Sequence, residues 1–182
     1  MFAEQGFDTV PVTAIAKAAG VSHMTFFRHF PTKEAVVVAD MFDPLIAEAV
    51  RAQPRRWRPL TRAVRGLIAA MDQESAREEM SSREFRSRIR LAARTPSLSA
   101  AARAASQETE QAIAEALIVP GVDDAAARAA AGAVMGATTS LLLAWAGENN
   151  APDAGATGTA TGTDGDVVTV LSRGLLSLLG ES

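Results

Sequence analysis

The sequence predicts an all-α fold, with a three-helix unit at the N-terminus and a larger helical domain behind it. Three observations carry this. Good helix formers dominate, alanine and arginine above all, and runs of β-branched residues are nearly absent. Apolar residues recur at helical spacing, as at Val12, Ile15, Ala16 and Ala19, which fall at i, i+3, i+4 and i+7. Two long apolar stretches, 129–147 without a charge and 167–179 rich in leucine, are patterned as packed helices rather than as strands.

The stretch from Val12 to Lys33 organises the N-terminal unit. Met1 to Gln5 reads as the tail of a first helix closed by Gly6, and Phe7 plugs the core beneath the next two helices. The second helix presents Val12, Ile15, Ala16 and Ala19 inward and Thr13 and Lys17 to water. Gly20 stops it, because glycine takes a left-handed conformation without a Cβ clash. Ser22 caps the third helix by accepting a backbone N–H of its first turn. In that helix Phe26 and Phe30 stack one turn apart and are expected to be buried, whereas Met24, Thr25, Arg28 and His29 turn outward. Pro31 ends it, and Thr32 opens the next. This is a helix-turn-helix, the unit that lays its second helix in the major groove of DNA.

The string Ile15-Ala16, Ala19-Gly20-Val21-Ser22, Thr25-Phe26-Phe27-Arg28-His29-Phe30 and Lys33-Glu34-Ala35 closely resembles the signature of the TetR/AcrR family of bacterial repressors. The preceding Phe2-Ala3-Glu4-Gln5-Gly6-Phe7-Asp8 resembles the end of that family's first helix. The resemblance is dense over residues 2–40 and faint beyond. It implies a ligand-responsive regulator, a repressor that binds double-stranded DNA as a homodimer on a pseudo-palindromic operator and is released by a small effector. It also implies that His23, Met24 and Thr25 approach bases or phosphates, and that Phe27, His29 and Lys33 approach phosphates. Thr13, Ser22 and Arg28 complete the candidate DNA-facing set. Met24 stands where the family commonly has glycine and Phe27 where it has tyrosine, so one phosphate hydrogen bond is expected to be lost. In the family about three turns of helix and often a basic arm precede the segment that begins here at Met1, so a late start or a truncation is expected. A DNA-binding domain over 1–45 and an effector-binding and dimerisation domain over 46–182 follow from this reading.

Behind the motif, a fourth helix is predicted from Thr32-Lys33 to about Ala52, with Val36, Val37, Met41, Leu45, Ile46 and Val50 inward and a kink at Asp43-Pro44. Arg51, Arg55, Arg56, Arg58, Arg62 and Arg65 surround Trp57. A nucleic-acid patch is one reading of them, but a helix length separates them from Lys33, and an exposed connector anchored by Trp57 is the better one. Leu60, Val64, Leu67, Ile68 and Met71 mark an amphipathic helix, followed by a polar, partly irregular stretch at 72–82. The helix over 82–94 places Phe85, Ile89 and Ala92 inward. Its arginine stripe, Arg83, Arg86, Arg90 and Arg94, is a solvated face or the cationic rim of a site for an anionic effector such as an acyl-coenzyme A. Ser97 or Ser99 caps the next helix, which runs through Ile113 and Leu117. Pro120-Gly121 turns the chain into a long helix ending near Glu148, in which Gly132 and Gly136 permit close helix approach. Residues 149–166, rich in Gly, Ala, Thr and Asp, read as a flexible loop.

In the resembled family the last two long helices pair into a four-helix dimer interface, and this sequence supplies apolar surface for one. A mostly apolar effector pocket is expected among Met41, Leu45, Leu67, Met71, Phe85, Ile89, Arg90 and Ile113, the methionines adapting to a lipophilic ligand.

The chain of 182 residues carries 18 Lys and Arg against 21 Asp and Glu, a net charge of −3. That is unusual for a DNA binder, whose footprint is commonly basic. It keeps a second reading open: a helical ligand-binding or scaffold dimer that has lost DNA binding. Cysteine is absent, so disulfides are excluded and a reducing cytoplasm is expected. No signal-peptide pattern is visible, and the uncharged run at 129–147 reads as a buried helix rather than a membrane span. No cofactor, metal or catalytic site is expected: His23 and His29 lie too far apart around one helix to share a metal, and no hydrolase, zinc-protease or phosphate-loop pattern occurs.

Overall fold

The computed structural model describes residues 1–38, 44–148 and 166–181. Among the described residues all regular structure is helical: α1 (Phe2–Gln5), α2 (Val12–Ala18), α3 (His23–His29), α4 (Ala35–Val38), α5 (Pro44–Ala52), α6 (Pro59–Met71), α7 (Glu74–Ser81), α8 (Arg83–Arg94), α9 (Pro96–Leu117), α10 (Asp124–Glu148) and α11 (Val167–Ser177). The predicted fourth helix is seen as α4 and α5. The residues between them lie outside the described set, and with them Met41 and the Asp43 side of the expected kink. The loop expected over 149–166 lies almost wholly outside it as well.

Local chemistry explains most boundaries. Gly6, Gly20, Gly121 and Gly180 take positive φ, and Gly20, at φ +68°, turns the chain after α2 as its position requires. The Ser22 hydroxyl accepts the Thr25 N–H at 3.1 Å, and the Thr32 hydroxyl accepts that of Ala35 at 3.1 Å. Ser82 caps α8 through the Phe85 N–H at 3.0 Å, and Asp123 caps α10 through Ala126 at 3.1 Å.

Two expected features of this kind differ. Residues 74–81, read as partly irregular, form α7, because Glu, Ala, Arg and Met favour a helix even where no side chain is buried. Neither Ser97 nor Ser99 caps α9. Pro96 opens that helix, and the Ser99 hydroxyl instead donates to the Ala92 carbonyl at 2.6 Å, stapling α9 to the end of α8.

The main core lies between α5, α6, α8, α9, α10 and α11, built on Val50, Val64, Leu67, Ile89, Ile113, Leu117, Val134, Leu171 and Leu175. Helix α10 packs on α9, α8, α6 and α11. By length and composition it is apolar enough to cross a bilayer, yet here it is the central column of the bundle. Helices α5 and α6 approach closely at Gly66, where an added Cβ would stand 2.6 Å from the Val50 Cα. The glycines singled out for close approach do not act that way within the chain: nothing lies within 4 Å of a Cβ at Gly136, and Gly132 meets only the Glu110 side chain.

A second, smaller core joins the N-terminal unit to the bundle. Phe7, Val37 and Val38 pack with Ala92 of α8 and Leu98 and Ala102 of α9. Phe7 was expected beneath α2 and α3; it serves this seam instead, its ring 5.1 Å from that of Phe2.

Arg62 departs furthest from expectation. Placed by sequence in an exposed basic connector, it is 1% exposed. It donates to the carbonyls of Leu117 and Ala116, both at 3.2 Å, at the C-terminus of α9. Four carbonyls end every helix without an intrahelical partner, and a cation there also meets the negative end of the helix dipole. Burial, and secondly the charge of Arg55, lower its pKa, but a guanidinium stays protonated in a protein.

Candidate nucleic-acid interface and interior cavity

The helix-turn-helix is closed by backbone and hydroxyl bonds rather than by a large core. After α2 the Gly20 and Val21 N–H groups donate to the carbonyls of Lys17 and Ala16 at 3.1 and 2.9 Å. The Ser22 and Thr25 hydroxyls are 2.9 Å apart, so they satisfy each other as well as the cap. Inside, Ala16, Phe26 and Val10 are buried. Val10 was not singled out, because a lone valine before a proline carries no periodic signal. Phe30 is half-buried, its ring 5.6 Å from that of Phe26. Ala19, expected inward, is exposed, since α2 ends at Ala18 and the turn rotates it out.

Of the candidate DNA-facing residues, Thr13, Ser22, His23, Met24, Phe27, Arg28 and His29 are exposed and Thr25 is half-buried. Seven of these eight lie on or at the cap of α3, and Thr13 lies on α2. The His23 ring meets the Phe27 ring edge-on at 4.7 Å.

Lys33 is placed differently from the others. It is half-buried, and its ammonium donates to the carbonyl of Phe7 and, at 3.4 Å, to that of Asp8. The same ammonium lies 4.4 Å from the Phe7 ring centroid and 6.0 Å from that of Phe2. The lysine therefore ties the start of α4 to the loop before α2 from within.

A cavity of about 120 Å³ opens among α5, α6, α7, α8, α10 and α11. Three residues named for a pocket line it: Leu67, Met71 and Phe85. Ile46, Met80, Leu142 and Leu171 add apolar wall, and Glu79 and Thr138 are its polar members. The Thr138 hydroxyl is spent on the Val134 carbonyl at 2.7 Å. Glu79, whose side chain is 55% exposed, pairs with Arg88 at 3.0 Å.

The remaining pocket candidates are not in the lining. Ile89 and Ile113 are core residues with no exposure. Leu45 is 42% exposed, whereas its neighbour Ile46, also expected inward, lines the cavity. Arg90 is half-buried on α8 away from the cavity, and Met41 lies outside the described residues. The arginine stripe is split: Arg83 and Arg94 are exposed, Arg86 lies 5.6 Å over the Trp145 ring, and the ion pair to α7 is made by Arg88, which the stripe did not include. Met80, Ala76 and Glu79 were missed because their segment was read as irregular. A helical period through it would have brought Ala76 and Met80 to one side. No group of His, Cys, Asp or Glu among the described residues is arranged to hold a metal ion.

Comparison with known proteins joins these two sites. Residues 1–39 match the family described as bacterial regulatory proteins, tetR family. Residues 57–174 match the MftR C-terminal domain. No curated protein matches the chain. One match covers the helix-turn-helix and the other all but α5 of the helices that enclose the cavity: the chain belongs to the tetR family of bacterial regulatory proteins and is a ligand-responsive transcriptional regulator.

Proposed function

We propose that the chain is a repressor that binds a pseudo-palindromic operator as a homodimer and releases it when a small, mostly lipophilic effector enters the cavity. The division between reader and sensor falls near residue 45. One observation supports the switch more than any other: α8 serves both sites. Phe85 in its first turn lines the cavity, and Ala92, two turns on, packs in the seam with Phe7, Val37 and Val38. A ligand that moves α8 therefore moves the seat of the reading head. The cavity is smaller than the ~300–1,000 Å³ of a drug-sized site. It suits a small ring as it stands, and Met71 and Met80 are unbranched side chains that yield to a longer ligand.

Dimerisation would use the outer faces of α10 and α11. Ala129, Ala133, Gly136, Ser140 and Ala144 are exposed along α10, and Leu178 follows α11 at 39% exposure. Small side chains on that face permit close approach of a second copy's helices. Base and phosphate contacts would come from Thr13, Ser22, His23, Met24, Thr25, Phe27, Arg28 and His29. Lys33 supports the head from inside. A second reading, a ligand-binding dimer without DNA binding, is favoured by that same inward lysine, which leaves Lys17 and Arg28 as the exposed lysine and arginine of residues 1–38.

The test is a screen of hydrophobic acids, acyl thioesters and neutral apolar compounds for release of bound DNA. By linkage an effector must bind free protein more tightly than DNA-bound protein, and by the same factor that it weakens DNA binding. Compounds that fill the cavity with equal affinity in both states would refute the switch, and a chain that retains no duplex from a random-sequence pool would favour the second reading.

A further inference from the structure

The most exposed large apolar side chain among the described residues is Met24, at 82%. It lies in the first turn of α3, with Val21 three residues before and Phe27 three residues after, each 38% exposed. The three follow one side of the turn and helix as an apolar stripe, while the core is served by Phe26 and Ala16 from the other side. Phe27 also meets the His23 and Phe26 rings, but Met24 stands in solvent, on the surface that a helix-turn-helix turns toward the major groove.

A thioether donates no hydrogen bond and accepts only weakly. Met24 therefore cannot discriminate guanine, adenine or cytosine by the donor and acceptor pattern of their major-groove edges. The one apolar feature that groove presents is the 5-methyl group of thymine. The head is also poor in charge for holding phosphates, because the Lys33 ammonium is turned onto the Phe7 carbonyl. Apolar contact thus supplies a larger share of recognition than in a basic head.

We propose that Met24 is a specificity-determining residue that packs on a thymine methyl group in each half-site. This rests on the reading of the chain as a DNA-binding regulator, and the test separates the two.

Duplexes enriched by the full chain from a random-sequence pool are remade with uracil replacing one thymine at a time. The change deletes one methyl group and leaves every hydrogen-bonding group in place. One position per half-site is expected to respond. The loss of one buried methyl weakens binding about fourfold, and loss in both half-sites about fifteenfold. At the same position, 5-methylcytosine is expected to bind more tightly than cytosine. In Met24→Ala the uracil penalty is expected to shrink to less than about 1.5-fold, since the partner of the methyl group is gone. The exposure of Met24 means that this variant keeps its fold, checked by its thermal unfolding.

Three results would overturn the proposal. An enriched duplex indifferent to uracil at every thymine refutes it and leaves the DNA-binding reading standing. A uracil penalty equal in wild type and Met24→Ala assigns the methyl group to another residue. A change in oligomeric state on Met24→Ala, with the uracil profile unaltered, makes the stripe a contact between copies of the chain. A pool from which nothing enriches defeats the DNA-binding reading itself.

Discussion

Replacing Lys33 separates two roles that sequence alone merges. The family resemblance places this residue at a phosphate, whereas the structure has its ammonium donating to the Phe7 and Asp8 carbonyls and lying over the Phe7 ring. If the internal role is its main one, Lys33→Ala acts on stability. A hydrogen bond from a charged donor contributes about 1.5–3 kcal/mol, and a partly desolvated cation–π contact about 1 kcal/mol. Desolvation of the half-buried ammonium offsets part of both, which leaves about 1–2 kcal/mol. For a chain of this size each kcal/mol moves the melting temperature by about 2–4 °C, so a fall of about 2–8 °C is expected.

Lys33→Met keeps the aliphatic stem against Phe7 and should lose less than Lys33→Ala. The salt dependence of DNA binding gives the second readout. Each phosphate contact adds about 0.9 to the log–log slope, so a phosphate lost from both heads of a dimer lowers it by about 1.8. With Lys33 internal, the slope should change by less than about 0.5, whereas Arg28→Ala, fully outward on α3, should lower it by about 1.8. The measurements are thermal unfolding by circular dichroism and binding titrations across salt concentrations. An unchanged melting temperature together with a slope lowered by about 2 in Lys33→Ala would refute the internal role.

Other expectations follow from single contacts. Arg62→Ala removes two charge-assisted hydrogen bonds from the buried end of α9, so a loss of about 2–4 kcal/mol in denaturant unfolding is expected, with Arg62→Met less affected because it retains the apolar stem. Gly66→Ala drives a Cβ into the Val50 backbone, an overpacking cost of about 1–3 kcal/mol that outweighs the helix-propensity gain of about 1 kcal/mol; its melting temperature should fall. Gly136→Ala meets nothing within 4 Å inside the chain, so it should leave the subunit fold intact yet shift the monomer–dimer equilibrium in sedimentation if α10 faces a partner. An unaltered equilibrium there would remove α10 from the interface.

What the sequence made legible is what short-range chemistry decides. Gly20, Ser22 and Thr32 act within a few residues of themselves, and their turn and caps are where the sequence puts them. The class of fold followed equally from periodicity. What was illegible depends on partners far along the chain. Which of six arginines turns inward is set by the carbonyls of Ala116 and Leu117, more than fifty residues from Arg62, and nothing near Arg62 announces them. Leu45 and Ile46 are equally apolar, so only the packing of α5 decides which faces the core. The family resemblance puts Lys33 at a phosphate, and only the position of the Phe7 carbonyl shows its second use. The cavity was partly legible, through Leu67, Met71 and Phe85, because those residues stand on strongly amphipathic helices. Its α7 wall was missed because a helix with no fully buried residue carries a weak hydrophobic period.

In the proposed repressor two copies of α3 read one DNA face through adjacent major grooves. Hydroxyl-radical footprinting of the full chain on an enriched duplex tests it most directly. Two protected clusters are expected on one face of the duplex, centred about one helical turn, ~34 Å, apart, and both weakened together in Arg28→Ala. A single protected cluster, or none at any protein concentration up to tens of micromolar, would refute this arrangement.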